Sequence, residues 1–277
     1  MRRKNFAYVI LFISLSLISR ADATPKAHYL ANEGVLITNG EVKVLFDPLF
    51  DNSYGIYQLL PTDMQEALFA GTPPYDGIDA IFISHHHGDH FSPALMLSFL
   101  KAREDIRLYA PKQAVTALRA VAGAEDEQIF DRVTGLALNT GDESITLTVG
   151  DLLIEATRIP HSGWPVSRTD IENIAFRVTL NKTVTVLHLG DAAPNPAHFL
   201  SFPEHWEDHE PNLALPPYWF FGSKGGQYTL SEYIKPAQSI GIHVPTEMPK
   251  DPADRPAEIR DYDLFTTPGE SRTIAAK

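Results

Sequence analysis

The sequence predicts an α/β chain in four layers, an αββα sandwich of two mixed β-sheets packed face to face with helices outside. Three features point there. Short apolar segments between 27 and 46 form a β-meander, and from 78 onward strands and helix-period segments alternate in βαβα order. After 126 strands return and are followed by a second stretch of mixed helix and strand.

Taken in order, Met1 to Lys4 are basic at Arg2, Arg3 and Lys4, Phe6 to Ser19 are apolar with a few serines, and Ala21-Asp22-Ala23 is a small-x-small pattern. Residues 1–23 therefore read as a secretory signal peptide, and the mature chain as exported, to a periplasm or outside the cell. The apolar run is short for a membrane span, and no cysteine follows it to carry a lipid anchor. The alternative is an uncleaved N-terminal anchor. Residues 24–277 suit one large domain, with no internal repeat and no linker. Without the leader, 19 basic residues face 34 acidic ones, which argues against nucleic acid or an acidic membrane surface as partner. The absence of cysteine rules out disulfides and thiolate metal ligands.

Ala27–Leu30 and Gly34–Ile37 read as strands. Asn39-Gly40 is a hairpin signal, and Val42–Phe46 is the returning strand, ending at Asp47-Pro48. Residues 49–77 are irregular and aromatic, with a short helix near Met64–Phe69, and serve as pocket wall or core cap. Ile78–Ile83 is a buried strand. Ser92-Pro93 opens a helix to 102, Ile106–Ala110 is a strand, and Pro111 opens a second helix. Strands are expected over Ser144–Val149, Asp151–Ile159, Ile171–Leu180 and Thr183–Leu189, with a tight turn at Asn181-Lys182. Pro196–Leu200, Leu213–Leu215, Leu230–Ile234 and Ser239–Ile242 complete the pattern, and the tail from 249 reads as loose or surface-bound.

The turn after Ile83 carries His85, His87, Asp89 and His90 in the pattern H-x-H-x-D-H. Imidazole and carboxylate are ligands for zinc and its neighbours. On an extended backbone His85 and His87 point the same way, so one metal can take both, while Asp89 and His90 can face a second. Three further strand ends release a single polar group beside Pro or Gly: His161, Asp191 and His243. Asp47 and His188 are candidates to orient ligand imidazoles, with a turn carboxylate and a core histidine as the plainer readings. His86 occupies an x position and points away. His198, His205 and His209 have no strand ends to fix them as a separate site. Pro216 to Phe221 is strongly aromatic, and either lines a pocket or packs under a sheet.

In this order of motifs the chain resembles the metallo-β-lactamase-fold hydrolase superfamily. It is most similar to the branch of ascorbate-phosphate lactonase and N-acylphosphatidylethanolamine phospholipase D. The resemblance implies two divalent metal ions, zinc first with iron or manganese as alternatives. His85, His87 and His161 would hold one, Asp89, His90 and His243 the other, and Asp191 would bridge. β-Lactamases of this fold lack that aspartate, so the resemblance points to a general hydrolase. A metal-bridging hydroxide would act on an ester, lactone or amide with an apolar part, with Asp89 shuttling its proton. A phosphodiesterase or phospholipase D-like hydrolase and a non-catalytic metal-binding protein are the alternatives. The relatives often carry Gly-His where this chain has Ala31-Asn32-Glu33-Gly34, and Glu33 is a weak replacement candidate.

Overall fold

The first strands show why both faces of a sheet are buried. In the computed structural model, which describes residues 24–200, 205–206 and 209–277, β1 (Lys26–Ala31), β2 (Gly34–Asn39) and β3 (Val42–Phe46) form an antiparallel meander. Alternate side chains divide between two cores: Tyr29, Val35, Ile37, Val44 and Phe46 face the second sheet, while Leu30, Leu36 and Leu45 face the helices. The expected leader, 1–23, lies outside the described residues. Among the described residues no helix is long and apolar enough to cross a membrane.

The chain then crosses to parallel strands β4 (Ala80–Phe82) and β5 (Arg107–Pro111), with β6 (Val133–Leu136) beyond. Helices α1 (Thr62–Ala70), α2 (Pro93–Ala102) and α3 (Lys112–Val121) cover the outer face. α2 begins as expected, with the Ser92 hydroxyl accepting from Leu95 N and Pro93 in the first turn. The second sheet holds the antiparallel run β7 (Ile145–Val149), β8 (Leu152–Arg158), β9 (Ile174–Leu180) and β10 (Val184–His188). The parallel strands β11 (Leu213–Leu215) and β12 (Gln238–Ser239) complete it. Asn181 and Lys182, both at positive φ, make the β9–β10 turn. A closing strand, β13 (Ser271–Thr273), pairs with β1, giving a seven-stranded sheet facing a six-stranded one. This is the expected αββα sandwich. Between the sheets Phe82 lies 5.3 Å from Phe46 and 5.1 Å from Phe176 across the gap, a ring cluster that locks the sheets together beneath the site.

Four local expectations are corrected. The β2–β3 turn is Gly40-Glu41, one residue later than Asn39-Gly40, because Asn39 pairs with Val42 and leaves only Gly40 at positive φ. A 3-10 segment over Ala124–Arg132 and the strand β6 occupy a stretch where no element was expected before 144. β9 starts at Ile174, not Ile171, because Asn173 turns aside to tie strand ends together. The tail is no loose end: Leu264, Phe265 and Ile274 are buried, and Lys26 pairs with Thr273.

Candidate metal centre

The C-terminal ends of β3, β4, β8 and β10 open at one edge of the sandwich, where α/β sheets present their chemistry. Asp47 follows β3, His85 to His90 follow β4, His161 follows β8 and Asp191 follows β10. His243 follows a bridge between Ile242 and Pro217. Asn173 fixes this edge. Its Nδ2 donates to the Ile159 and Leu189 carbonyls, and its Oδ1 accepts from Asp191 N at 2.9 Å. Gly190 makes the sharp exit of β10 at φ +53, where a Cβ would come within 2.6 Å of Ser84 Cβ. Ile174 N donates to the Ser84 carbonyl and ties the two sheets at the site.

The structure brings every predicted site residue into two touching clusters. In the first, His87 Nδ1 lies 3.0 Å from His85 Nε2 and 3.2 Å from His161 Nε2, and Asp191 Oδ2 lies 3.1 Å from His161 Nε2. In the second, His243 Nε2 lies 3.2 Å from His90 Nε2 and 3.3 Å from Asp89 Oδ2, and Asp191 Oδ1 lies 3.0 Å from His243 Nε2. Asp191 thus gives one carboxylate oxygen to each cluster.

The outer nitrogens of His85, His90 and His161 are spoken for, while His243 Nδ1 is buried without a partner. Ser84 Oγ donates to Asp47 Oδ2 at 2.5 Å and accepts from His85 Nδ1 at 3.1 Å. His90 Nδ1 donates to Asp47 Oδ2 at 2.9 Å, and His161 Nδ1 to the Ser162 carbonyl at 2.7 Å. Each bond leaves the inner Nε2 as a bare lone pair, the tautomer a metal ligand needs. Asp47 therefore orients an imidazole of the centre. His188 follows its plainer reading: Nε2 donates to the Glu33 carbonyl, Nδ1 accepts from Gly190 N, and the ring stacks on Phe46 at 4.9 Å.

Lone pairs and carboxylates converging this closely repel unless protons or a cation sit among them. Burial, with His161 and His90 nearby, pushes His87 down to about 4. Burial also presses on His243, but the Asp191 and Asp89 carboxylates outweigh it and raise the imidazole to about 9. Burial would raise Asp191, yet His243 and His90 hold it well below the usual carboxylate range. Asp191 Oδ1 is buried without a hydrogen-bond partner. This donor set, imidazole nitrogen and carboxylate oxygen with no sulfur, fits a pair of divalent cations.

Other residues also reach the centre, among them Glu33, a weak replacement candidate from sequence, and Asn32, which carried no such reading. Asn32, at φ +46 in the β1–β2 turn, donates Nδ2 to the Asp89 carbonyl and accepts from His243 N. Glu33 is fully buried beside His90, and burial pushes its carboxyl well above the usual range. Tyr57 and Trp219 set ring edges against His243, at 4.1 and 5.2 Å between centroids. The aromatic segment thus does both expected things, since Phe220 and Phe221 lie in the core. His86 joins no cluster among the described residues. His198 packs on Trp164, and His205 faces Arg177, so they form no common site.

Facing mixed sheets in αββα order, with an H-x-H-x-D-H turn at their shared edge, define the metallo-β-lactamase fold. A family model described as the β-lactamase superfamily domain matches residues 42–211, and the chain belongs to that family. Among solved structures, Igni18, a metallo hydrolase from the hyperthermophilic archaeon Ignicoccus hospitalis, is 16% identical at TM-score 0.60, covering 92% of this chain and 100% of its own. The isothiocyanate hydrolase from Delia radicum gut bacteria is 15% identical at TM-score 0.59, covering 89% and 98%. A possible metal-dependent hydrolase from Veillonella parvula is 14% identical at TM-score 0.55, covering 91% and 100%. Likeness at such identities is one of fold. A search of curated proteins returned no match.

Proposed function

We propose that the chain is a metal-dependent hydrolase with a dinuclear centre. His85, His87 and His161 hold one ion, Asp89, His90 and His243 the other, and Asp191 bridges them. The observation that carries this is the Asp191 carboxylate, one oxygen 3.1 Å from His161 and the other 3.0 Å from His243. Two divalent ions, zinc first with manganese or iron as alternatives, supply Lewis acidity and bring the pKa of water from near 16 towards about 7. The chain's own residues do the rest. Asp89 presents Oδ2 to His243 and leaves its second oxygen to take a proton from the attacking water and return it to the leaving group.

The walls support a substrate class. Tyr57 and Trp219 line the centre beside His243, and the exposed Tyr54, Ile56, Trp164 and Val166 lie on the loops around Tyr57 and after His161. Arg158 is committed to the Leu138 and Ile171 carbonyls. These features favour an ester, lactone or amide with an apolar part over a charged phosphoester.

The test is a panel of chromogenic esters, lactones, amides, β-lactams and bis(p-nitrophenyl) phosphate. Turnover of an apolar ester, lactone or amide is expected, lost on chelation and restored by Zn2+ or Mn2+. Asp89→Ala should lower it by about 10²–10⁴-fold. Turnover that survives the chelator ends the proposal. Phosphodiester turnover alone would favour the phospholipase-like alternative, and bound metal without turnover a non-catalytic metal-binding protein. The leader motif supports export, and mass spectrometry of the exported product is expected to find Thr24 at its N-terminus. A product that retains Met1–Ala23 would favour the anchored alternative.

A further inference from the structure

Glu33 is the one acid at the centre to which neither the motif pattern nor the orienting hydrogen bonds give a task. It sits in the β1–β2 turn with no exposed surface, and both carboxylate oxygens lack a hydrogen-bond partner. The groups closest to it are already engaged. His90 Nδ1, 3.5 Å from Glu33 Oε2, donates to Asp47, and His188 Nε2, 3.6 Å away, donates to Glu33's own carbonyl. A buried carboxylate without donors is costly unless a cation faces it. Its other neighbours are donors of the second position: one Glu33 oxygen, an Asp191 oxygen and a His243 nitrogen all lie within 4.8 Å of one another. That is ligand spacing.

We propose that Glu33 is a further ligand of the second ion, a reading that rests on the dinuclear centre proposed above. The two positions are then chemically unlike. The first has three imidazoles and one oxygen of Asp191. The second has two imidazoles and the carboxylates of Asp89, Asp191 and Glu33, a harder donor set with a higher coordination number.

The experiment uses the whole chain and its isosteric variant Glu33→Gln, with three readouts besides turnover. Zn2+ titration by calorimetry with elemental analysis gives stoichiometry and affinity. The visible spectrum of the Co2+-loaded protein reports coordination number, and thermal melting of the metal-free protein reports folding. Wild type is expected to take two ions. Glu33→Gln should hold the first unchanged, bind the second about 10–100-fold more weakly, and gain Co2+ absorption at that position as a ligand is lost. Its metal-free form should melt no lower than wild type, because Gln is isosteric and the Glu33 carboxylate oxygens make no hydrogen bond that the substitution could break. A residue kept only for structure would give the opposite pairing, lower melting with unchanged affinity, and that overturns the proposal. Weaker binding with an unchanged Co2+ spectrum also overturns it, since Glu33 would then act by charge alone. A wild type that binds fewer than two ions ends the dinuclear reading and this one together. Two ions in wild type and two equally tight in Glu33→Gln end only this one.

Discussion

Replacing Asp191 by asparagine is expected to empty both metal positions, not one, and to lower turnover by at least about 10²-fold. The loss should exceed the 10–100-fold typical of residues that merely orient ligands. The side chain would keep its shape and its backbone N–H bond to Asn173 Oδ1. One of its two inner atoms, however, becomes an NH2 group. If it takes the Oδ2 place it faces His161 at 3.1 Å, and if it takes the Oδ1 place it faces His243 at 3.0 Å. Either way an N–H points where a cation should sit. The second effect is electrostatic. The Asp191 carboxylate heads the interactions that raise His243 to about 9 and His90 well above its ordinary value. Without it those imidazoles lose most of the reason to be charged when metal-free. Histidine resonances followed against pH in the metal-free protein should therefore show His243 titrating lower in Asp191→Asn. Two ions per chain retained in the variant would show that the clusters are independent and that Asp191 bridges nothing.

The parts of this centre visible in the sequence are those a local pattern can carry. His85, His87, Asp89 and His90 are close in sequence because one turn presents them all. His161, Asp191 and His243 each announce themselves as a lone polar group ending an apolar strand beside proline or glycine. Glu33 has no such mark. It stands only where relatives carry Gly-His, which makes it a weak candidate, and only the packing of the β1–β2 turn against β10 and the His243 segment buries it. Ser84 and Asn173 are small polar residues whose importance lies in whom they touch 37 and 18 positions away. The tail misled for the same reason. Its prolines and charges suggest a surface path, yet Leu264, Phe265 and Ile274 are buried because β13 closes the first sheet against β1. Long-range pairing decides burial there, and no window of sequence contains it.

Glu155→Ala is expected to destabilise the fold by about 3–5 kcal/mol, the cost of stranding a buried charge. Glu155 on β8 and Arg177 on β9 are register partners on the outer face of the second sheet. Arg177 Nε donates to Oε2 at 2.8 Å and Nη2 to Oε1 at 2.5 Å, with the guanidinium almost fully buried. Its Nη1 also donates to the His205 and His209 carbonyls, so the same cation pins that segment to the sheet. Replacing both partners with apolar residues should cost less than removing one, because no charge is left alone. Acid should probe the same cluster in two steps. Burial and the Arg177 charge push His205 down to about 4. The folded imidazole thus stays neutral where the unfolded one binds a proton, from about pH 6.5 downward. Stability is full above that value and falls towards pH 4, by at most about 1.4 kcal/mol per pH unit. Burial raises Glu155 but its bond to Arg177 outweighs this, so its share of stability is present above the ordinary carboxylate pKa and goes only as the pH falls through its lowered one. Urea midpoints of the metal-loaded protein at pH 7, 5.5 and 4 should therefore decline in wild type and decline less in His205→Gln. Equal slopes in the two proteins would remove His205 from the account, and a Glu155→Ala protein as stable as wild type would mean that water reaches Arg177 at the sheet surface.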